Sequence, residues 1–166
     1  MTERPKLNIP LSTFDFIVNS LSFLALTAIW IAVILNYSSL PDLIPVHFNA
    51  AGQPDSFGQK YHILVLPVIA SLLSIGLTLL CRSPHLLNYP VNITNENALY
   101  QYTIAIKTIR YLRLIIILIF GYLAFKIIQQ ANGQSDGLGV WFLPVILGLI
   151  FIPSGYFLVQ LTKTKS

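Results

Sequence analysis

Four long runs of apolar residues alternate with short polar segments along the chain. The runs cover residues 16–36, 61–81, 104–128 and 140–161, and none has a charged residue near its centre. A helix of roughly 20 apolar residues crosses a hydrocarbon layer of about 30 Å. A spanning segment must satisfy its own backbone hydrogen bonds, and four segments are too few for a barrel. The pattern therefore predicts an all-α integral membrane protein, with four transmembrane helices in a single domain over residues 1–166.

Composition supports the same prediction. The chain is 55% hydrophobic and only 10% charged, against roughly 25% charged residues in soluble domains. The four spans and their connections occupy nearly the whole length, which leaves no room for a separate soluble catalytic domain. The single cysteine, Cys81, excludes an internal disulfide and a thiolate metal cluster. We therefore expect the lipid bilayer as a partner and no cofactor.

The positive charges predict the orientation in the membrane. Of the ten Lys and Arg residues, only Lys60 and Lys126 fall in the first and third connections. The others lie before the first span, around the second connection or after the fourth span. By the positive-inside rule, both termini are cytoplasmic and the first and third connections are outside. Because the basic residues are scattered rather than clustered in a stripe, we expect no nucleic-acid partner.

The third helix is predicted to begin in the cytoplasmic connection, near Glu96, and to continue to about Gln130. Such a helix is longer than the membrane is thick. Lys107, Arg110 and Arg113 recur every third residue on its early part and share one broad face. We expect this basic face to point at lipid phosphates or at a cytoplasmic protein.

The first connection, residues 40–60, is the one polar stretch with concentrated turn residues. Pro41 and Pro45 favour extended conformations in the residues before them, and residues 46–49 alternate as a strand does. Gly52 and Gly58 tolerate positive φ, and residues 53–55 are typical of a turn. The segment is therefore predicted to be an ordered, hairpin-like extracytoplasmic loop.

The motif in this loop resembles a bacterial membrane-domain family of unknown function, domain of unknown function 1648. The same domain forms the N-terminal part of SdpI-type immunity and signal-transducing proteins. The motif residues are Pro41, Ile44, Pro45, His47, Phe48, Asn49, Gly52, Asp55, Gly58 and Lys60. Residues 88–98 also resemble the segment that follows this domain in stand-alone members. The resemblance implies a multi-pass protein of the bacterial cytoplasmic (inner) membrane. In the SdpI type itself, it implies protection against a secreted toxin and capture of a transcriptional repressor.

The polar side chains of the loop have two alternative roles. In the structural alternative, His47, Asn49 and Asp55 bond to the loop backbone, while Lys60 pairs with Asp55 or reaches a lipid phosphate. In the functional alternative, the loop recognises an external ligand or peptide. A metal site is not expected, because His47, Asp55 and His62 lack the ligand number and spacing of zinc sites.

Taken together, the residues favour a non-enzymatic membrane protein. The sequence has no nucleophile elbow, phosphate-binding glycine loop or convergent carboxylate pair, so no catalytic residues are predicted. The leading hypothesis is recognition of an extracytoplasmic peptide or ligand, for immunity or signal sensing, with a cytoplasmic protein as a further partner. The alternative is a small transport-related or membrane-bound enzymatic subunit. It predicts a water-filled cavity that reaches either His47 or the helix kink expected at Pro153.

Overall fold

A computed structural model describes residues 4–163 as four helices and one β-hairpin. In chain order they are α1 (Thr13–Asn36), β1 (Leu43–Phe48), β2 (Pro54–Gln59), α2 (Val65–Leu80), α3 (Ala98–Ala131) and α4 (Phe142–Thr162). Short 3₁₀ turns follow α1 (Tyr37–Ser39) and precede α2 (Lys60–Leu64). With these turns included, all four helices are long and apolar enough to cross a membrane. The predicted multi-pass architecture, with a hairpin between the first two helices, is confirmed.

The first helix begins three residues before the apolar run that predicts it. Ser12 caps α1: its hydroxyl accepts from the Asp15 amide at 3.4 Å, and Asp15 Oδ2 accepts from the Ser12 amide at 2.8 Å. This reciprocal capping box satisfies amides that have no partner within the helix. It also places Asp15 inside the helix, where its side chain turns toward α3.

The third helix is 34 residues long, or about 51 Å at 1.5 Å per residue. Its length agrees with the predicted long helix, although it begins at Ala98 rather than near Glu96. A turn precedes it, in which the Ala98 amide donates to the Thr94 carbonyl, and the Asn97 side chain accepts from the Thr94 amide and donates to the Asn92 carbonyl. Glu96 therefore precedes the helix, and a hydrogen bond from the Thr94 side chain holds the pKa of its carboxyl below the usual range.

The long third helix is the centre of the bundle, and it packs against each of the other three helices. Its contact with α4 includes a specific hydrogen bond at Pro153. Pro153 has no N–H, so the carbonyl of Leu149 loses its helical partner. The Tyr111 hydroxyl donates to that carbonyl at 2.8 Å. The proline in α4 is thereby accommodated by a side chain of α3.

The two ends of the bundle differ in composition. At the hairpin end, a buried apolar cluster joins the hairpin to α1, the turn before α2 and α3; it comprises Ile29, Val33, Leu40, Ile44, Ile63, Ile117, Ala124, Ile127 and Ile128. At the opposite end, called the terminal end here, residues 4–12, 81–97 and 163 lie together. Arg4 donates there to the carbonyl of His85, and Gln101 donates to that of Lys163. Polar side chains extend into the bundle from the terminal end.

Candidate functional site

The hairpin is built into the apolar cluster through its first strand. Ile44 and Pro45 are buried, and Phe48 packs against the cluster. The two strands are antiparallel, with irregular register at residues 45–48 that leaves Val46 without a partner in β2. This bulge breaks the alternation that the sequence predicts. Val46 and His47 are both exposed, so Val46 does not share a buried face with Phe48.

The turn of the hairpin is organised by Asn49. Its side-chain oxygen accepts from the amides of Ala51 at 2.9 Å and Gln53 at 3.0 Å. An asparagine that binds its own backbone in this way fixes a turn without outside contacts. Asn49 thus bonds to the loop backbone, as the structural alternative expects, whereas the His47 and Asp55 side chains contact each other instead.

Glycines allow the tip of the hairpin to dock on the connection between α3 and α4. The Leu138 amide donates to the Gly52 carbonyl at 2.7 Å. Gly52 has a φ of +77°, and a Cβ there would lie 2.9 Å from the Gly139 carbonyl oxygen. A Cβ on Gly137, whose φ is +147°, would lie 2.2 Å from the Gly52 oxygen. The backbones of the hairpin tip and of the α3–α4 connection therefore approach so closely that a side chain at either glycine would clash.

The outer face of the hairpin presents a His–Asp pair. His47 Nδ1 lies 2.5 Å from Asp55 Oδ1, and the two side chains remain 68% and 43% exposed. Nearby on β2, Phe57 is 56% exposed. The pair offers two of the ligands that a metal needs, and no group of three His, Cys, Asp or Glu residues converges within residues 4–163. The hairpin thus carries an exposed polar pair, and the exposed Phe57 lies two residues along β2 from Asp55.

The remaining loop residues hold the base of the hairpin. Lys60 pairs with Asp42 at 3.3 Å, not with Asp55 as the structural alternative supposed, because Asp55 lies across the hairpin beside His47. The Lys60 amide also donates to the Asp42 carbonyl. A Cβ on Gly58 would lie 3.0 Å from Val46 Cγ1, a tight contact that a small shift of the exposed Val46 side chain could relieve. Pro41, just before the hairpin, is exposed.

The residues of the predicted basic face on α3 do not all lie on the outer surface of the bundle. Arg113 is 7% exposed and donates to Thr78 of α2 and to Asn19 of α1. Arg110 Nη1 lies 2.5 Å from Oδ1 of the buried Asp15, an ion pair without hydrogen-bond alignment. Lys107 Nζ lies 5.9 Å from the centre of the Phe14 ring. Arg110 and Arg113 therefore do not share one outward surface with Lys107, because α3 is rotated so that its early part faces α1 and α2.

This rotation creates a polar cavity that the sequence interpretation missed. The cavity has a volume of about 390 Å³ and is bordered by three helices at the terminal end. Its polar lining consists of Asn19, Ser22, Ser74, Thr78, Cys81, Arg82, Arg110 and Arg113. The available signal was the spacing of Asn19 and Ser22 in α1 and of Ser74 and Thr78 in α2. Polar residues three or four positions apart share a helix face and mark helix contacts in membranes.

Comparison with known proteins bears on the hairpin segment. Residues 23–70 match the family model described as a domain of unknown function (DUF1648). The resemblance predicted from the loop motif is therefore confirmed. The match covers most of α1, the whole hairpin and the start of α2, and it ends before α3.

One similar protein extends over most of the chain. An uncharacterized protein of Archaeoglobus fulgidus is 27% identical over 158 residues, which cover 88% of this chain and 86% of that protein. No solved structure matches the chain. The comparisons thus show a family match over residues 23–70 and one relative that covers most of the chain, and neither description states an activity.

Proposed function

We propose that this is a non-enzymatic membrane protein whose hairpin recognises an extracytoplasmic peptide, in an immunity or signal-sensing role of the SdpI-related type. The proposed location is the cytoplasmic membrane, with the hairpin outside and both termini inside. Among the described residues, the terminal end has seven Lys or Arg residues and the hairpin end has Lys60 and Lys126. This asymmetry supports the orientation, because basic residues are retained on the cytoplasmic side.

The main support for this proposal is that one side of the hairpin is buried against the bundle and the other side is exposed. Ile44 is fully buried in the bundle, whereas His47, Asp55 and Phe57 are exposed. A rigid surface loses little conformational entropy when it binds a partner. Exposed aromatic side chains beside a charged or polar pair are typical of recognition surfaces. The hairpin therefore has the geometry of a preformed binding surface.

Its two-stranded sheet suggests how a peptide would bind. Within residues 4–163, β1 and β2 pair only with each other, so each has an edge that pairs with no further strand. An extended peptide can add to such an edge through main-chain hydrogen bonds. His47 and Asp55 would then contribute specificity through charge, and Phe57 through apolar contact.

A physical connection supports signalling from the hairpin to the cytoplasm. Ile44 of the hairpin and Ile127 of α3 belong to the same buried cluster. The same α3 helix reaches the terminal end, where Arg110 and Arg113 contact α1 and α2. A partner that shifts the hairpin would therefore act directly on α3. A cytoplasmic protein that reads the terminal end is part of this proposal.

The test is a survival assay of cells exposed to secreted antimicrobial peptides. Cells that produce the protein are compared with cells that lack it, and with His47→Ala, Asp55→Ala and Phe57→Ala variants. Tyr156→Ala is the control, because Tyr156 is an exposed aromatic residue on α4, away from the hairpin. Loss of protection in the three hairpin variants, at unchanged membrane abundance, is the expected result. Equal survival of every strain, including the one that lacks the protein, would contradict the proposal.

The alternative of a transport-related or enzymatic subunit has less support. It predicts a cavity that reaches His47 or the kink at Pro153. The polar cavity is bordered by neither residue. At the hairpin, Ser56 lies opposite His47 in the strand register, but within residues 4–163 no hydrogen bond joins its hydroxyl to the exposed His47–Asp55 pair.

A further inference from the structure

The polar cavity at the terminal end lies between α1 and α2, with α3 behind it. Asn19 and Ser22 border it on α1, and Ser74 and Thr78 border it on α2. Nearer the hairpin end, the Trp30 indole donates to Ser71 and ties α1 to α2. The opening between the two helices is therefore confined to the half of the bundle that contains the arginines.

Arg113 has no anionic partner among the described residues. Its guanidinium donates to the neutral side chains of Thr78 at 2.7 Å and Asn19 at 2.6 Å. Its Nε is buried and donates to no protein atom, although the residue is only 7% exposed. A buried charge without a counterion is strongly disfavoured. Arg113 thus has both an unbalanced charge and an unused donor.

The surrounding charges do not compensate Arg113. The carboxylate of Asp15 is engaged by Arg110 and by the Ser12 cap. Arg82, on the cavity wall, adds a further positive charge. Three guanidinium groups therefore border a cavity of about 390 Å³, and of these Arg110 is paired with a carboxylate. The cavity is an electropositive site lined with hydroxyl and amide groups.

We infer that this cavity binds a phosphate group, held by Arg113 and Arg82 with help from the neighbouring hydroxyl and amide side chains. Phosphate suits a site of this kind because its oxygens accept several charge-assisted hydrogen bonds from arginine. The cavity also has an apolar border formed by Phe23 and Leu26, and Phe23 is exposed on the outside of the bundle. This border is compatible with the acyl chains of a phospholipid. A soluble phosphate provides the same headgroup chemistry without the chains.

The experiment uses the full chain, purified in a maltoside detergent that contains no phosphate. Thermal unfolding is measured with three probes: phosphatidylglycerol, diacylglycerol with the same acyl chains, and inorganic phosphate matched in ionic strength with chloride. A ligand that binds only the folded state raises the unfolding temperature, and above its Kd the stabilisation grows with the logarithm of the ligand concentration. We expect a concentration-dependent rise with phosphatidylglycerol and none with diacylglycerol. A rise with inorganic phosphate as well would identify a soluble phosphate as a sufficient ligand.

Variants assign the effect to the cavity. Arg113→Gln removes the buried charge, and a roughly tenfold to hundredfold loss of apparent affinity is expected for a charge-assisted hydrogen-bonding residue. Arg82 is exposed, so Arg82→Gln should fold and tests the site even if Arg113→Gln does not fold. Lys107→Gln is the matched control, because it removes one positive charge from the same end of α3 outside the cavity.

Two results would overturn the inference. One is the absence of any rise in unfolding temperature with either phosphate probe. The other is an equal rise in wild type, Arg113→Gln and Arg82→Gln, which would place the bound phosphate elsewhere. In either case Arg113 would serve only to tie α1 and α2 to α3.

Discussion

The hairpin end and the terminal end of the bundle are held together by different kinds of interaction. At the hairpin end, apolar side chains and close backbone contacts at Gly52 and Gly137 fix the loop. At the terminal end, Asp15, Arg110 and Arg113 join the helices through charged and polar groups. The first arrangement leaves the His47–Asp55 pair exposed on the outside of the hairpin. The second uses its charges internally, and Arg113 has no counterion within residues 4–163.

Among substitutions that test this difference, Asp15→Asn at the terminal end is expected to lower the free energy of unfolding most. Asp15 is 2% exposed and both pairs with Arg110 and caps α1. Removing one partner of a buried ion pair typically costs about 3–5 kcal/mol. The free energy of unfolding, measured by denaturant titration in detergent, should fall by about that amount. Asp42→Asn is the control, since Asp42 is exposed; an equal loss in both variants would show that burial does not matter here.

The next largest effect is expected from Gly137→Ala at the hairpin end. A Cβ there would lie 2.2 Å from the Gly52 oxygen, and the φ of +147° is strained for alanine. Clash and strain together should lower the free energy of unfolding by about 3 kcal/mol. Gly133→Ala is the matched control, because Gly133 has a φ of +70° and no atom within 4 Å of its Cβ position. It should lose about 1 kcal/mol from φ alone. Similar losses in the two variants would argue against close docking.

A smaller effect is expected from Tyr122→Phe. The Tyr122 hydroxyl donates to the Leu138 carbonyl at 2.7 Å, which supports the connection on which the hairpin docks. Interhelical hydrogen bonds in membrane proteins contribute about 1 kcal/mol. Thermal unfolding should therefore show a small loss in Tyr122→Phe and none in Tyr156→Phe, whose ring is exposed. If the two variants unfold at the same temperature, the Tyr122–Leu138 hydrogen bond does not help to hold the hairpin.

The smallest effect is expected from His47→Ala. Its pair with Asp55 is exposed on both sides, and exposed ion pairs contribute about 0–1 kcal/mol. The free energy of unfolding should change by less than about 1 kcal/mol, whereas Ile44→Ala, at a fully buried position, should lose about 2–5 kcal/mol. A large loss in His47→Ala would mean that the pair is structural and would weaken its assignment to recognition.

Much of this organisation could be predicted from the sequence because it depends on local composition. The four spans follow from the apolar runs, and their predicted bounds differ from the helices by a few residues where caps such as Ser12 decide the end. The hairpin follows from its prolines, glycines and Asn49, which act on the backbone next to them. The family resemblance follows from the same loop and is confirmed for residues 23–70.

Only the tertiary structure decided which groups meet. Hydropathy places Arg110 and Arg113 near a membrane surface, but the rotation of α3 against α1 and α2 determines whether they face lipid or protein. The same holds for the docking of Gly52 on Gly137 and for the Tyr111 hydroxyl at Leu149, since these partners are far apart in sequence. A local pattern specifies a helix and its apolar face, whereas the orientation of one helix toward another depends on packing over the whole bundle.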